Sequence, residues 1–225
     1  MSYYIKNSLE ELIPYLEMTD VPWGIKDLES VNVYVNAAGT RLQNLPRGYD
    51  IVGRLDAEVP VDWSEWADEY TAQDKLVMLK KRDVPVIETS YWYGDTHLSA
   101  FIGDKYPIFR GDTVIGTIWS SRPFKLLTPM NYFKNEKARF VSSLIPTDTF
   151  TPTELKVIFF LIQRHSAKEI SRILDIAPRT IERHIYSIYQ KAEVSSLHQF
   201  IEYALVIGLD CYIPEEFIVR GVKFI

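Results

Sequence analysis

Apolar positions follow two rhythms along this chain. Near the start, Leu9, Leu12, Ile13 and Leu16 recur at helical spacing, with Pro14 as a kink or boundary, and predict a short helix over 10–17. Strand patterns take over at 22–27 and 31–36, which predict a hairpin around Leu28-Glu29-Ser30. Broken helical material runs on to Pro60. Over 64–81, Trp66, Tyr70, Leu76, Val77 and Leu79 stand among charges, so one amphipathic helix or two short ones are expected, ended by Asp83-Val84-Pro85. Three strand-like runs follow at 86–93, 98–109 and 113–120, with turns at Gly94-Asp95-Thr96 and Arg110-Gly111-Asp112. One antiparallel sheet of five strands with helices on one face buries all these pieces.

The rear of the chain is helical throughout. Thr151-Pro152-Thr153-Glu154 reads as a capping box with proline at the first helical position, ahead of a stripe of Leu155, Ile158, Phe159 and Ile162. Ser166 and Glu169 form a second box before Ile170, Ile173 and Leu174. After the tight connection Asp175-Ile176-Ala177, Pro178 opens a third helix with Ile181, Ile185 and Ile188 on one face. Its other face presents Arg179, Glu182, Arg183, Tyr186 and Gln190, residue types that contact phosphates and base edges. Helix, short turn, helix is the geometry that sets such a face in a major groove. Standing alone, that face also fits a solvated side of a helical bundle.

The expected class is therefore α+β: a five-stranded antiparallel sheet domain over 1–124, a linker over 125–146 with a helix near 132–142, and an all-α four-helix domain over 147–208. The segment 209–225 is too apolar for a free end and is expected to pack on the protein.

Charge divides in the same way. The net charge of −5 hides a front (1–124) at −7 and a rear (125–200) at +4, as suits a sensor joined to a nucleic-acid binder. Residues 150–200 alone reach only +2, so one copy should hold DNA weakly and depend on dimerisation at paired half-sites. No apolar run approaches a membrane span and the N-terminus lacks a signal-peptide pattern, so a cytoplasmic protein is expected. The single cysteine, Cys211, leaves no internal disulfide or CxxC metal site and reads as a small buried side chain. No metal is expected. With no nucleophile elbow, phosphate loop or HExxH motif and four scattered histidines, an enzyme is not expected.

Residues 150–197 resemble, without a gap, the LuxR/NarL-type helix-turn-helix domain of transcription regulators. The resemblance runs through Thr151-Pro152-Thr153-Glu154-Leu155, Ala167-Lys168-Glu169-Ile170-Ser171, Arg179-Thr180-Ile181-Glu182-Arg183-His184-Ile185, Ile188-Tyr189-Gln190-Lys191 and Val194-Ser195-Ser196. It implies a phosphate contact from Lys168 and recognition-helix contacts from Thr180, Glu182, Arg183 and His184, with Arg179, Tyr186 and Lys191 on the same surface. It also implies a dimer contact from Leu197, Phe200, Ile201, Ala204 and Leu205. Two positions depart from the pattern. Glu182 replaces a common lysine and would accept from a cytosine amino group or make a bridging contact, and could not bind phosphate. Ala177 replaces a capping serine, which costs about 1 kcal/mol.

The front resembles a PAS domain over about 18–124, through Val21-Pro22-Trp23-Gly24-Ile25-Lys26-Asp27, Tyr34-Val35-Asn36, Ile51-Val52-Gly53-Arg54, Gln73-Asp74-Lys75 and Val114-Ile115-Gly116-Thr117-Ile118. Within that class it is similar to PAS plus LuxR-type quorum-sensing receptors for alkylpyrazinol-like signals. That likeness places Tyr70 and Lys105 at the ligand pocket, with Tyr34, Trp92 and Phe101 as further pocket residues, while two other pocket aromatics of the group fall on Gly39 and Gly103. A buried Lys105 needs an acceptor and favours a ligand with a carbonyl, carboxylate or enolate. The alternatives are an exposed Lys105 paired with Asp104 or Glu88, and Tyr70 as ordinary core.

The resemblance implies a ligand-responsive homodimer that reads a pseudo-palindromic promoter, and meets RNA polymerase if it activates. A small organic signal is the expected occupant and no cofactor is expected, because the domain lacks a pocket cysteine for a flavin and His97 sits beside a turn. The alternative is a constitutive regulator whose PAS domain only dimerises, its pocket filled by Tyr34, Trp92, Phe101 and Trp119.

Overall fold

Asp27 makes the first turn of the sheet: its carboxylate accepts the backbone N–H groups of Glu29 at 3.0 Å and Val31 at 2.9 Å. The strands it joins are β1 (Trp23–Lys26) and β2 (Asn32–Val35), preceded by α1 (Ile13–Glu17) and followed by α2 (Ala37–Leu42). Asn36 ties these pieces together. Its Oδ1 accepts from Gly39 N and Trp23 N at 2.7 and 3.0 Å, while its Nδ2 donates to Leu16 O and Val21 O at 2.8 and 2.9 Å. Every polar atom of this buried amide is thereby satisfied.

The computed structural model describes residues 10–126 and 139–225, which divide into two units, Met1–Phe124 with Val219–Ile225, and Lys125–Ile218. In the first, short 3-10 turns at Asp56–Glu58 and Asp62–Trp66 lead into α3 (Ala67–Lys80). The stretch predicted as one amphipathic helix or two short ones thus begins as a 3-10 turn and continues as a single α-helix. Strands β3 (Val86–Ser90), β4 (Ser99–Arg110) and β5 (Thr113–Pro123) follow.

The PAS-like antiparallel sheet has six strands where five were expected. With β8 (Gly221–Phe224) from the end of the chain, its order is β2-β1-β5-β4-β3-β8. Val222 lies opposite Glu88 and packs on the apolar cluster of Leu42, Ile51, Val59, Trp63, Tyr70, Trp92 and Phe101. Arg220 fixes the entry to β8: its guanidinium pairs with Glu65 at 2.6 Å and lies over the Tyr91 ring. The apolar segment expected to pack on the protein thus divides: Leu209 and Tyr212 join the core of the second unit, and Gly221–Phe224 is the strand that covers the edge of β3.

The second unit begins with β6 (Lys125–Leu126), which pairs with β7 (Arg139–Phe140). This stretch was expected as a linker, yet Val141 and Ser143 are buried and Ser142 bridges to Tyr212. The helix expected near 132–142 lies outside the described residues up to 138, and residues 139–140 are strand. Four helices follow: α4 (Pro152–Ile162), α5 (Ala167–Leu174), α6 (Pro178–Lys191) and α7 (Leu197–Ile207). Both predicted capping boxes form, Thr151 with Glu154 and Ser166 with Glu169. The core joins Leu155, Ile158, Ile170, Ile181, Ile188 and Phe200. Among the described residues no helix is long and apolar enough to cross a membrane.

Candidate functional site

The first candidate surface is α6. Ile181 and Ile188 are fully buried, and helical periodicity then forces Arg179, Thr180, Glu182, Arg183 and Tyr186 outward, where all five are exposed. His184 is half-buried at the edge of that face, and Lys168 is exposed on α5. The helix starts on Ala177 with no side-chain cap, and Pro178 at its first position removes one N–H that would otherwise need a partner.

Lys191, expected on the same surface, has its ammonium 2.6 Å from Glu154. That carboxylate also accepts from Thr151 N at 2.8 Å and Ser187 Oγ at 2.7 Å. Burial alone would push the Glu154 carboxyl up, but Lys191 and these donors hold it at about 2. Lys191 therefore ties the end of α6 to the start of α4 inside the unit.

The residues expected at a dimer contact separate. Phe200 at 0% and Ala204 at 1% exposure are core: Phe200 packs on Phe150, Tyr189 and Tyr203, so neither can reach a partner. Leu197 and Ile201 are half-buried and Leu205 is exposed. One apolar side of α7 is used up in closing its own domain.

The second candidate lies on the helix-covered face of the sheet. Strand alternation brings Lys26 of β1, Thr117, Trp119 and Ser121 of β5, Gly103 and Lys105 of β4, and Glu88 of β3 to one side, and α3 lays Tyr70, Gln73 and Asp74 over them. Tyr34 falls on the opposite face. It pairs across the ladder with Ile25, packs with that residue's cluster, and donates from its hydroxyl to Glu17 at 2.7 Å. It is not a pocket residue.

A cavity of about 40 Å³, room for a few waters or a comparably small organic molecule, is lined by Lys26, Glu88 and Lys105 and walled by Trp63, Tyr70, Trp92 and Trp119. Of the expected pocket residues, Tyr70, Trp92 and Lys105 line it, while Phe101 stands behind Trp92 in edge contact at 5.9 Å. Two glycines leave room for side chains that line it. A Cβ on Gly24 would meet the Trp119 indole at 2.3 Å, and one on Gly103 would meet the Glu88 carboxylate at 2.2 Å.

Lys105 is buried, and its partner is neither Asp104 nor Glu88. Its ammonium lies 2.6 Å from Asp74 and 3.3 Å from the carbonyl of Tyr70. Lys26 pairs with Asp56 and, at 3.4 Å, with Asp74, which also accepts from Thr117. Burial opposes all these charges. Asp56 and Asp74 nevertheless raise Lys26 to about 12, and the two lysines hold Asp74 below the usual carboxylate range. Lys105 is pushed down by burial against the pull of Asp74. Burial also pushes the Glu88 carboxyl up, although Ser121 and Tyr70 hydroxyls donate to it at 3.1 and 3.2 Å. Tyr70 is raised by burial and by the adjacent Glu88.

Sequence reasoning missed Asp56, Asp74 and Glu88 as site residues. Asp74 was detectable in one way: it stands four residues after Tyr70 and three before Val77, on the buried stripe of α3. Two buried side-chain atoms of residues that line this cavity, Trp92 Nε1 and Gln43 Oε1, have no hydrogen-bond partner among the described residues. No group of potential metal ligands occurs among the described residues.

Comparison with known proteins agrees with this two-part build. Residues 148–204 match the family model of bacterial regulatory proteins of the luxR family. The chain is similar to VqmA of Vibrio cholerae solved as a ligand–DNA complex, with TM-score 0.74 and 26% identity over 96% of each chain. It is similar to phage VqmA in complex with DPO, with TM-score 0.68 and 25% identity over 98% of this chain and 97% of that one. A third likeness is to a Vibrio cholerae VqmA dimer without target DNA, at TM-score 0.50 and 28% identity over 95% of each chain. No curated protein matches by sequence. Residues 148–204 are a LuxR-type helix-turn-helix domain, preceded by a PAS-like sheet domain, and the chain resembles the VqmA structures over nearly its whole length.

Proposed function

We propose that this chain is a ligand-responsive transcription regulator that acts in the cytoplasm as a homodimer on pseudo-palindromic promoter DNA, of the quorum-sensing kind. The observation that carries the reading is the exposed row Arg179, Thr180, Glu182, Arg183 and Tyr186 on α6, backed by the buried Ile181 and Ile188. In this reading Lys168 meets a phosphate. Arg183 and Glu182 meet base edges, with Arg179, Thr180, His184 and Tyr186 at phosphates or neighbouring bases. Lys191 serves by holding the helix rather than by touching DNA. Ile201 and Leu205 are the parts of α7 left for a partner subunit, and RNA polymerase is a further partner if the protein activates.

The likeness to VqmA solved with ligand and DNA supports a small molecule in the front cavity. A ligand there shifts the balance between two states of the regulator only by binding one better. One observation favours a front domain that merely dimerises: the cavity is small and its lysines already have carboxylate partners. The unpaired Trp92 N–H weighs against it, since a buried donor left empty is costly.

Selection of genomic fragments on the full-length protein tests the reading. Enrichment of sites with two-fold symmetric half-sites is expected; recovery that depends only on fragment length and salt would reject sequence-specific regulation.

A further inference from the structure

The buried ions at the front cavity do not balance. Two ammonium groups, Lys26 and Lys105, are matched by two carboxylates, Asp56 and Asp74. Glu88 is a third acid at 8% exposure, and among the described residues no lysine or arginine lies within ion-pairing distance of it. Among the described residues its oxygens receive only two neutral hydroxyls, from Tyr70 and Ser121. A carboxylate offers about four acceptor positions, so half of its capacity stays open. The sequence makes room for it: Gly103 has no side chain where the Glu88 carboxylate comes within 2.2 Å of an added Cβ.

The surroundings of Glu88 define what would complete it. With Glu88 ionised the cluster carries one negative charge in excess, in a setting where uncompensated charge is expensive, and a ligand cation would offset it. The wall is aromatic, with Trp63, Tyr70, Trp92 and Trp119, and such faces attract cations. Gln43 Oε1 supplies a second acceptor without a donor, and Trp92 Nε1 a donor without an acceptor.

We propose that the cavity is selective for a small primary amine that also carries an oxygen acceptor, with the ammonium group held by Glu88 and Gln43 and the oxygen by Trp92. This rests on the reading of the cavity as a ligand site and adds the charge of the ligand to it. Lys105 and Lys26 then serve as the fixed countercharges of Asp74 and Asp56, and Glu88 is the residue that specifies the ligand.

The test uses ethanolamine and ethylene glycol, which have the same shape and differ in the ammonium group, against the full-length protein at matched ionic strength. Ethanolamine is expected to raise the melting temperature and ethylene glycol to leave it unchanged. In Glu88→Gln, whose amide keeps the shape and whose neighbouring hydroxyls can turn to accept, calorimetric affinity for ethanolamine is expected to fall about tenfold or more. In Trp92→Phe the amine should still discriminate against the glycol, with weaker binding overall. Equal stabilisation by both probes would overturn the amine assignment and leave the ligand site standing, as would unaltered ethanolamine affinity in Glu88→Gln. No stabilisation by either probe overturns the assignment too; the ligand-site reading falls with it only if the purified protein also releases no small molecule to mass spectrometry.

Discussion

Lys105 and Asp74 meet at 2.6 Å in the interior of the sheet domain, with the lysine at 3% and the aspartate at 0% exposure. Removing one member of a buried pair leaves the other charged without compensation, and that loss exceeds what the pair itself contributes. Lys105→Ala is therefore expected to destabilise the empty protein by about 3 kcal/mol in denaturant unfolding, softened by the remaining contacts of Asp74 with Lys26 and Thr117. A change under about 1 kcal/mol would show that Lys105 is not part of the fold's own ion network.

Glu88 gives a pH dependence of the opposite sign to an ordinary salt-bridged acid. Its carboxyl is raised in the folded state by burial, against Ser121, Lys105, Tyr70 and Lys26, so the folded chain binds its proton more tightly than the unfolded one. Asp56 and Asp74 also face this cluster and are held by the same lysines. Stability from this group is complete below the unfolded value near 4.5 and declines as pH rises towards the raised folded value. Glu88→Gln should accordingly melt higher than the parent protein at neutral pH and no differently at acid pH. A lower melting temperature at neutral pH would contradict the assignment.

Glu154 runs the other way. It is held at about 2 by Lys191, Thr151 and Ser187 despite burial, so its contribution is present above the unfolded value of 4.5 and is lost as pH falls towards 2. Glu154→Gln should lower helical-domain stability at neutral pH and shrink the gap to the parent between those limits, as followed by circular dichroism. A gap that stays constant with pH would assign the loss to capping alone.

The last strand offers a test by truncation. Ending the chain after Ile218 uncovers the β3 edge and the cluster that Val222 packs against, and should cost about 2 kcal/mol or more. Arg220→Ala, which removes the Glu65 pair and the Tyr91 contact, should cost about 1 kcal/mol. Full melting temperature in the truncated protein would mean that β8 is not part of the folded sheet.

The helix-turn-helix was legible because its residues act locally. Thr151, Glu154, Ser166 and Glu169 fix helix starts within three residues, and a period of 3.6 assigns Ile181 and Ile188 inward whatever surrounds them. The hairpin with its turn at Leu28-Glu29-Ser30 was legible from local pattern too, and the Asp27 side chain closes it. The charged cavity was not, because its partners lie 18 to 48 residues apart and a lone aspartate on a helix looks like surface. Only the register that sets Lys26 beside Thr117, and Lys105 beside Trp119, brings them together. Tyr34 was misplaced because alternation sets it with Ile25, and Phe200 because α7 has an apolar side that serves its own core.

Whether α6 reads DNA is settled by fluorescence anisotropy of the full-length protein on a selected symmetric site, with Arg183→Ala alongside. Arg183 is exposed and outside the core, so the variant should keep its fold while losing about 1–3 kcal/mol of affinity, with a relaxed base preference if the contact is to a base edge or a shallower salt dependence if it is to a phosphate. Unchanged affinity, specificity and salt dependence in Arg183→Ala would show that this face of α6 does not read DNA.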